Sequence, residues 1–236
     1  MKTIFHKANE RGHADHGWLN AHHSFSFAGW YDPAKVHFGM LRVLNDDIVA
    51  GGQGFGMHPH DNMEIVTIPL EGSLEHKDNT GGNGIISPGE VQVMSAGTGV
   101  YHSEFNHSKT EAVKLFQCWV FPREKNVVPR YDQKRFDPGG RKNKFQTLVA
   151  PEKNKEHLWL HQDTVFSMLD LDAGKELEYE MKFESNGVYV MLVEGEAEVG
   201  GQKLERRDAI GVWEVQKVKI ISKKDSTFLL IEVPMA

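Results

Sequence analysis

The sequence has a single cysteine, Cys118, so no internal disulfide can form and nothing marks a secreted, cross-linked scaffold. It also lacks an excess of positive charge. With 27 Lys and Arg against 33 Asp and Glu, the net charge is −6, which argues against a chain whose main role is to neutralise phosphates. Long apolar runs are missing too. The longest, at 65–70 and 188–193, are strand-sized and far from the ~18 residues of a membrane-crossing helix. The opening Met1-Lys2-Thr3-Ile4-Phe5-His6-Lys7 turns polar at once and offers no signal-peptide core. A soluble cytoplasmic protein without a membrane partner is the expectation.

What is present is the composition of a folded chain. Its 236 residues, 39% hydrophobic and 25% charged, suffice for one large domain or two small ones. Histidine is plentiful and unevenly placed. Of thirteen, eleven lie between His6 and His107, two are His157 and His161, and none follows. An imidazole site must therefore be built from the first part of the chain.

Apolar segments at 38–44, 64–70, 91–94, 114–120, 188–193 and 227–233 are short, rich in β-branched and aromatic residues, and bounded by Gly, Pro, Asn or Asp. Such spacing predicts an all-β sandwich or barrel. A weak repeat divides it in two: Leu70-Glu71-Gly72-Ser73-Leu74-Glu75 resembles Val193-Glu194-Gly195-Glu196-Ala197-Glu198, 123 residues later. Between the copies lies a polar stretch containing Pro138-Gly139-Gly140 and the basic Arg141-Lys142-Asn143-Lys144. The expected organisation is an N-terminal barrel over 1–136, a linker over 137–145 and a C-terminal barrel over 146–236. The basic tetrad reads as a solvated connection rather than a nucleic-acid site.

The segment most able to carry chemistry is Gly52-Gln53-Gly54-Phe55-Gly56-Met57-His58-Pro59-His60. Residues i and i+2 of a strand share a face, about 6.6 Å apart along the chain, so His58 and His60 aim at one point. Pro59 stiffens the pair by fixing its own φ and biasing His58 toward extended backbone. A second same-face pair, His102 and Glu104, follows Gly97-Thr98-Gly99. If the two strands face each other, three neutral nitrogens and a carboxylate converge. The plainer reading is two solvated or hydrogen-bonded pairs, and spacing alone leaves both open. Inward imidazoles would cost a few kcal/mol per unsatisfied group, on the order of the desolvation penalty that a metal removes.

The residues also carry a resemblance. Gly52, His58, His60, Glu64 and Gly72 are similar to the first cupin motif, and Gly89, Ser95, Gly97, His102 and Asn106 to the second. Gly17-Trp18-Leu19, Phe25-Ser26-Phe27-Ala28, Tyr31-Asp32-Pro33, Leu41-Arg42-Val43-Leu44-Asn45-Asp46-Asp47, Met94-Ser95-Ala96-Gly97-Thr98-Gly99 and His102-Ser103-Glu104-Phe105-Asn106 resemble the pirin family of bicupins, densely from about residue 8 to 136. Two departures from the general cupin pattern are Ser95 in place of Pro and a Gly-to-His interval two residues longer.

The resemblance implies two tandem cupin barrels, jelly-roll in type, with one divalent metal in the first and none in the degenerate second. The implied ion is Fe(II), with Mn, Co, Ni, Zn or Cu as substitutes in vitro, held by His58, His60, His102 and Glu104. Glu64, at the usual cupin carboxylate position, is expected to support the site rather than bind. Bacterial members are associated with quercetin 2,3-dioxygenase activity, so the implied partners are a flavonol and O2. Glu104 is the expected base for the flavonol 3-hydroxyl, and the heterocycle opens with loss of CO. The alternative is a metal-binding, redox-responsive regulatory protein that acts on a protein partner without relevant turnover. A monomer is expected.

The remaining features read as structure. Gly52-x-Gly54-x-Gly56 lacks the spacing of a nucleotide loop, and Ser24 and Ser26 lack a nucleophile elbow. Cys118 sits in an apolar strand pattern as a small hydrophobe. Trp18, Phe25, Phe27, Trp30 and Tyr31 read as core packing or a clasp, with lining of a substrate pocket as the lesser possibility.

Overall fold

The structure, a computed structural model, describes residues 1–235. Two pairs of sheets, antiparallel except where Gln146–Ala150 runs parallel to Leu158–Trp159, make up its regular structure apart from two short 3-10 turns. The first pair joins a seven-stranded sheet to a four-stranded one. The larger runs Arg130–Arg135, Glu90–Ser95, Glu64–Glu71, Val113–Val120, Leu41–Val49, Leu19–His23, Gly12–Asp15, and the smaller Gly54–His60, Val100–Asn106, Leu74–Asp78, Asn83–Ile86. The second pair has the same plan: Lys2–His6, Ala209–Trp213, Asn186–Glu194, Ser226–Pro234, Val165–Leu171, Gln146–Ala150, Leu158–Trp159, facing Glu176–Glu180, Lys217–Ser222, Ala197–Val199, Gln202–Leu204. The internal repeat is thereby explained. Its two copies turn from Glu64–Glu71 into Leu74–Asp78 and from Asn186–Glu194 into Ala197–Val199, which occupy matching places.

Burial patterns follow from which faces are covered. Glu64–Glu71 is buried at almost every position because one face lines the first barrel and the other packs on the second. A strand covered on both sides becomes a continuous apolar run. Phe116, Cys118, Val120, Val66 and Leu44 meet Phe166, Met191, Leu229 and Ile231 in this shared core. Val100–Asn106 instead alternates, with His102, Glu104 and Asn106 inward and Tyr101 and Phe105 exposed, as expected of a sheet with one face in water.

One strand crosses the expected division at residue 136. Lys2–His6 pairs with Ala209–Trp213 and so completes the second seven-stranded sheet, whereas the first is completed by Arg130–Arg135. The chain therefore starts in the second barrel before building the first. The basic tetrad ties the connection to the second barrel, since Arg141 pairs with Asp170, and Lys142 and Asn143 bind Asp172. No helix among the described residues is long and apolar enough to cross a membrane.

Candidate metal centre

The two chemistry-bearing strands are neighbours. Val100–Asn106 pairs antiparallel with Gly54–His60, placing His102 opposite His58. A register shift follows, so that Glu104 opposes Phe55 and the bulge re-aims the side chains between them. Glycine is required at this crossing, because a Cβ on Gly54 would run into the Glu104 carbonyl and Phe105. Gly97, in the turn that feeds the second strand, has φ of +49° and lies against the Val127 carbonyl.

His58, His60 and His102 come together with ligand atoms within 4.8 Å of one another and ring centroids 4.3 to 4.9 Å apart. Glu104 enters a second group of the same tightness, with His102 and His76. His102 is the hinge common to both. The expected residues thus lie on one inner wall, and a fifth, His76, joins them. His76 and Asp78 share a face of Leu74–Asp78, the same i, i+2 pattern as His58 and His60, and that pairing is the signal by which the sequence could have revealed His76.

Hydrogen bonds fix the ring orientations. His58 Nδ1 donates to the Gly56 carbonyl at 2.8 Å, which leaves Nε2 as the bare nitrogen. His76 Nε2 donates to Asp78 Oδ2 at 2.9 Å, and its ring stacks on Tyr131 with centroids 4.5 Å apart. Its Nδ1 is then an acceptor and receives His102 Nδ1–H at 3.4 Å. The chain of donors ends at His102 Nε2, which is buried and has no hydrogen-bond partner among the described residues. Glu104 is asymmetric in the same way. Its Oε2 accepts from Gln117 Nε2 at 2.9 Å, while Oε1 is buried without a partner.

Burial sets the charges. It pushes His102 down to about 2, helped by His58 and His60, and lowers His60 to about 4. His60 and His102 are neutral near pH 7, as ligation requires. Burial pushes Glu104 up to about 7 against the opposing Gln117 bond, and Asp47 up to about 8, where the neighbouring Asp46 and then Glu104 add to the effect. Two unpartnered atoms, one imidazole nitrogen and one carboxylate oxygen, beside two further imidazoles form a donor set that fits a divalent transition metal.

Glu64 stands apart. It accepts from Ser95 Oγ at 2.7 Å and faces His161 at 3.8 Å, outside both clusters, which also explains a serine at position 95. A cavity of about 480 Å³ opens beside the histidines, lined by Trp18, Phe27, Phe55, Trp119, Leu115 and, on its polar side, Asn45, Asp47 and Gln117. Of the N-terminal aromatics, Trp18 and Phe27 line this cavity, while Phe25 packs in the core between barrels. Cys118 is fully buried, and burial raises its thiol far above its ordinary value.

Comparison with known proteins agrees with this architecture. Residues 4–120 match the Pirin family, and residues 147–233 match the family described as Quercetinase C-terminal cupin domain. The chain is 42% identical over 228 residues to the quercetin 2,3-dioxygenase of Escherichia coli K12, covering 97% of each protein. It is 42% identical over 223 residues to a putative quercetin 2,3-dioxygenase of Pseudomonas aeruginosa, covering 94% and 95%. The crystal structure of the bacterial pirin YhhW from Escherichia coli in complex with nickel(II) superposes with a TM-score of 0.93 at 40% identity, covering 100% of both chains. By fold, sequence and domain order, this chain belongs to the pirin family.

Proposed function

We propose that this protein is a metal-dependent dioxygenase that opens the heterocyclic ring of flavonols such as quercetin with O2 and releases CO. The observation that carries the reading is the pair of buried, unpartnered atoms, His102 Nε2 and Glu104 Oε1, in a cluster whose His58, His60 and Glu104 line an aromatic cavity. His58, His60, His102 and Glu104 would hold one divalent ion, Fe(II) by family resemblance. When bound, the ion supplies Lewis acidity toward a hydroxyl oxygen. The kinship to proteins named quercetin 2,3-dioxygenase supports the substrate class.

The protein's own groups define the rest. Trp18, Phe27, Phe55 and Trp119 offer faces and edges against which a planar ring system packs, and they exclude water around it. Gln117 is held between Thr67 Oγ1 at 3.0 Å and Glu104 Oε2, which fixes the carboxylate and leaves Oε1 free to bind. A carboxylate held in the cavity wall beside the histidines is placed to take a phenolic proton and return it to product. His58 and His60 are only half-buried, which leaves the cluster reachable from solvent; a regulatory reading needs no such access. Enzyme loaded with Fe(II) should consume quercetin and O2 and release CO. Glu104→Gln should lower kcat by about 100-fold or more, the usual contribution of a positioned base. Turnover that survives this change rejects the proton role, and a metal-loaded protein inert toward flavonols rejects the reading.

A further inference from the structure

The cavity has two unlike walls. On one side stand the histidines and Glu104; on the other, Asn45 and Asp47 project from Leu41–Val49 and Gln117 from Val113–Val120. The polar groups on this second wall differ in what they already do. Gln117 is committed at both ends, to Thr67 and Glu104. Asn45 Oδ1 accepts from His23 Nδ1 at 2.8 Å, which turns the amide so that its NH2 donors remain on offer. Asp47 is the exception. It is 5% exposed, and its Oδ1 is buried with no partner among the described residues. In register its neighbours are Ala21 and Leu115, neither of which has a side-chain donor.

A buried carboxyl without a partner costs stability unless something completes it. Nothing in the fold requires an acid here, since Leu19, Val49, Val113 and Leu115 around it form an apolar cluster in which a leucine would pack. Asn45 and Asp47, two apart on one strand, place a donor and an acid on the same face, about 6.6 Å apart along the chain. A planar ligand held between the walls meets this pair with its edge. The complementary edge is one that carries hydroxyl groups, which donate to the carboxyl and accept from the amide. Asp47 accepts a phenol hydrogen bond as acid or as carboxylate, so the match does not depend on its charge.

We propose that Asp47, with Asn45 beside it, is the specificity determinant that reads ring hydroxyls of the flavonol other than the one presented to the histidines. The assignment rests on the flavonol reading of the site. It predicts discrimination between quercetin and 3-hydroxyflavone, which keeps the hydroxyl at C-3 and lacks the others. A site built to bond a hydroxyl rejects the analogue lacking it because its own polar group is left unpaired.

The test is an anaerobic titration of the metal-loaded protein with each compound, followed by quenching of the fluorescence of Trp18 and Trp119, which line the cavity. Wild-type protein should prefer quercetin by roughly 10-fold or more. Asp47→Leu should weaken quercetin by about 10- to 100-fold and bring the preference close to unity, while Asp47→Asn, of the same shape and still able to accept, keeps most of it. In turnover, the loss for Asp47→Leu should fall on KM rather than kcat. Equal losses for both compounds, or an unchanged preference, would overturn the assignment. Selective binding through Asp47 without flavonol cleavage would uphold it and overturn the dioxygenase reading; failure of wild-type protein to bind either compound overturns both.

Discussion

The two barrels repeat one strand plan and differ in how their most deeply buried carboxylates are partnered inside the protein. Matching the four-stranded sheets in order sets Glu176–Glu180 against Gly54–His60 and Lys217–Ser222 against Val100–Asn106. Where the first barrel sets His58 opposite His102 on these strands, the second sets apolar pairs there, Tyr179 with Val218 and Leu177 with Ile220. Its interior is a packed cluster of Leu, Val, Ile and Tyr side chains. Its fully buried carboxylate, Glu232, is satisfied on both oxygens: it accepts from Tyr179 Oη at 2.8 Å, from the Lys182 and Phe183 amides and from Asn186 Nδ2. The first barrel leaves His102 Nε2, Glu104 Oε1 and Asp47 Oδ1 without such partners. The same architecture serves as scaffold where its buried carboxylate is saturated and as a site where its carboxylates stop one bond short.

The sharpest way to break this contrast is to remove the saturated carboxylate. Glu232→Leu strands a tyrosine hydroxyl, an amide and two backbone N–H groups in the interior, and the loss should be on the order of 3–5 kcal/mol. Differential scanning calorimetry should show Tm falling by roughly 10 °C, with affinity of the folded protein for metal unchanged. A loss below 1 kcal/mol, about the worth of one ordinary hydrogen bond, would mean the second barrel does not depend on its closed network.

A smaller effect tests the seam. His6, on the strand that crosses into the second sheet, is buried beside Tyr189 Oη at 2.9 Å and packs edge-on against Phe25. Burial, helped by Lys35, lowers it from 6.5 to about 4. Between these values the unfolded chain binds the proton and the folded one does not, so stability is lost as pH falls from 6.5 to 4. The full loss is about 3 kcal/mol. His6→Gln should flatten that component of the pH–stability curve. Hydrogen exchange in wild-type protein at pH 4.5 should rise first in Lys2–His6 and Ala209–Trp213, which pair with each other. Curves that stay parallel from pH 4 to 6.5 would remove His6 as the sensor.

Local periodicity made the central features legible. His58, His60, His102 and Glu104 stand out in the sequence because a strand repeats every two residues; the structure groups His102 with His58 and His60 on one side and with His76 and Glu104 on the other. The segment expected at 38–44 is displaced to Leu41–Val49. Asn45-Asp46-Asp47 has the composition of a turn yet continues the strand, because Asn45 and Asp47 face the cavity and Asp46 meets Arg11 and Arg207. Residues with low β-propensity inside a strand mark a place where function overrides local preference. The exchange of Lys2–His6 into the second sheet had no local sign, since pairing partners 200 residues apart leave no periodicity to read.

The finest test concerns how the open end of the first barrel is kept open. Asp78 Oδ1 accepts from the Thr80 amide, Thr80 Oγ1 and the Gly82 amide, and Oδ2 accepts from His76 Nε2. In Asp78→Asn the three donors hold the remaining oxygen, so the new NH2 must face His76. His76 Nε2 then becomes the acceptor and Nδ1 carries the hydrogen, which confronts His102 Nδ1–H at 3.4 Å. The conflict is relieved when His102 moves its proton to Nε2, the nitrogen the first barrel offers outward. Metal affinity, read by titration with Ni(II), should fall about 10- to 100-fold although no proposed ligand has changed. His76→Asn keeps an acceptor near the former Nδ1 and should lose less than Asp78→Asn. Nitrogen-15 shifts of His102 in metal-free Asp78→Asn should report the Nε2–H tautomer; an unchanged Nδ1–H signal with full affinity would show that the ring needs no relay to set it.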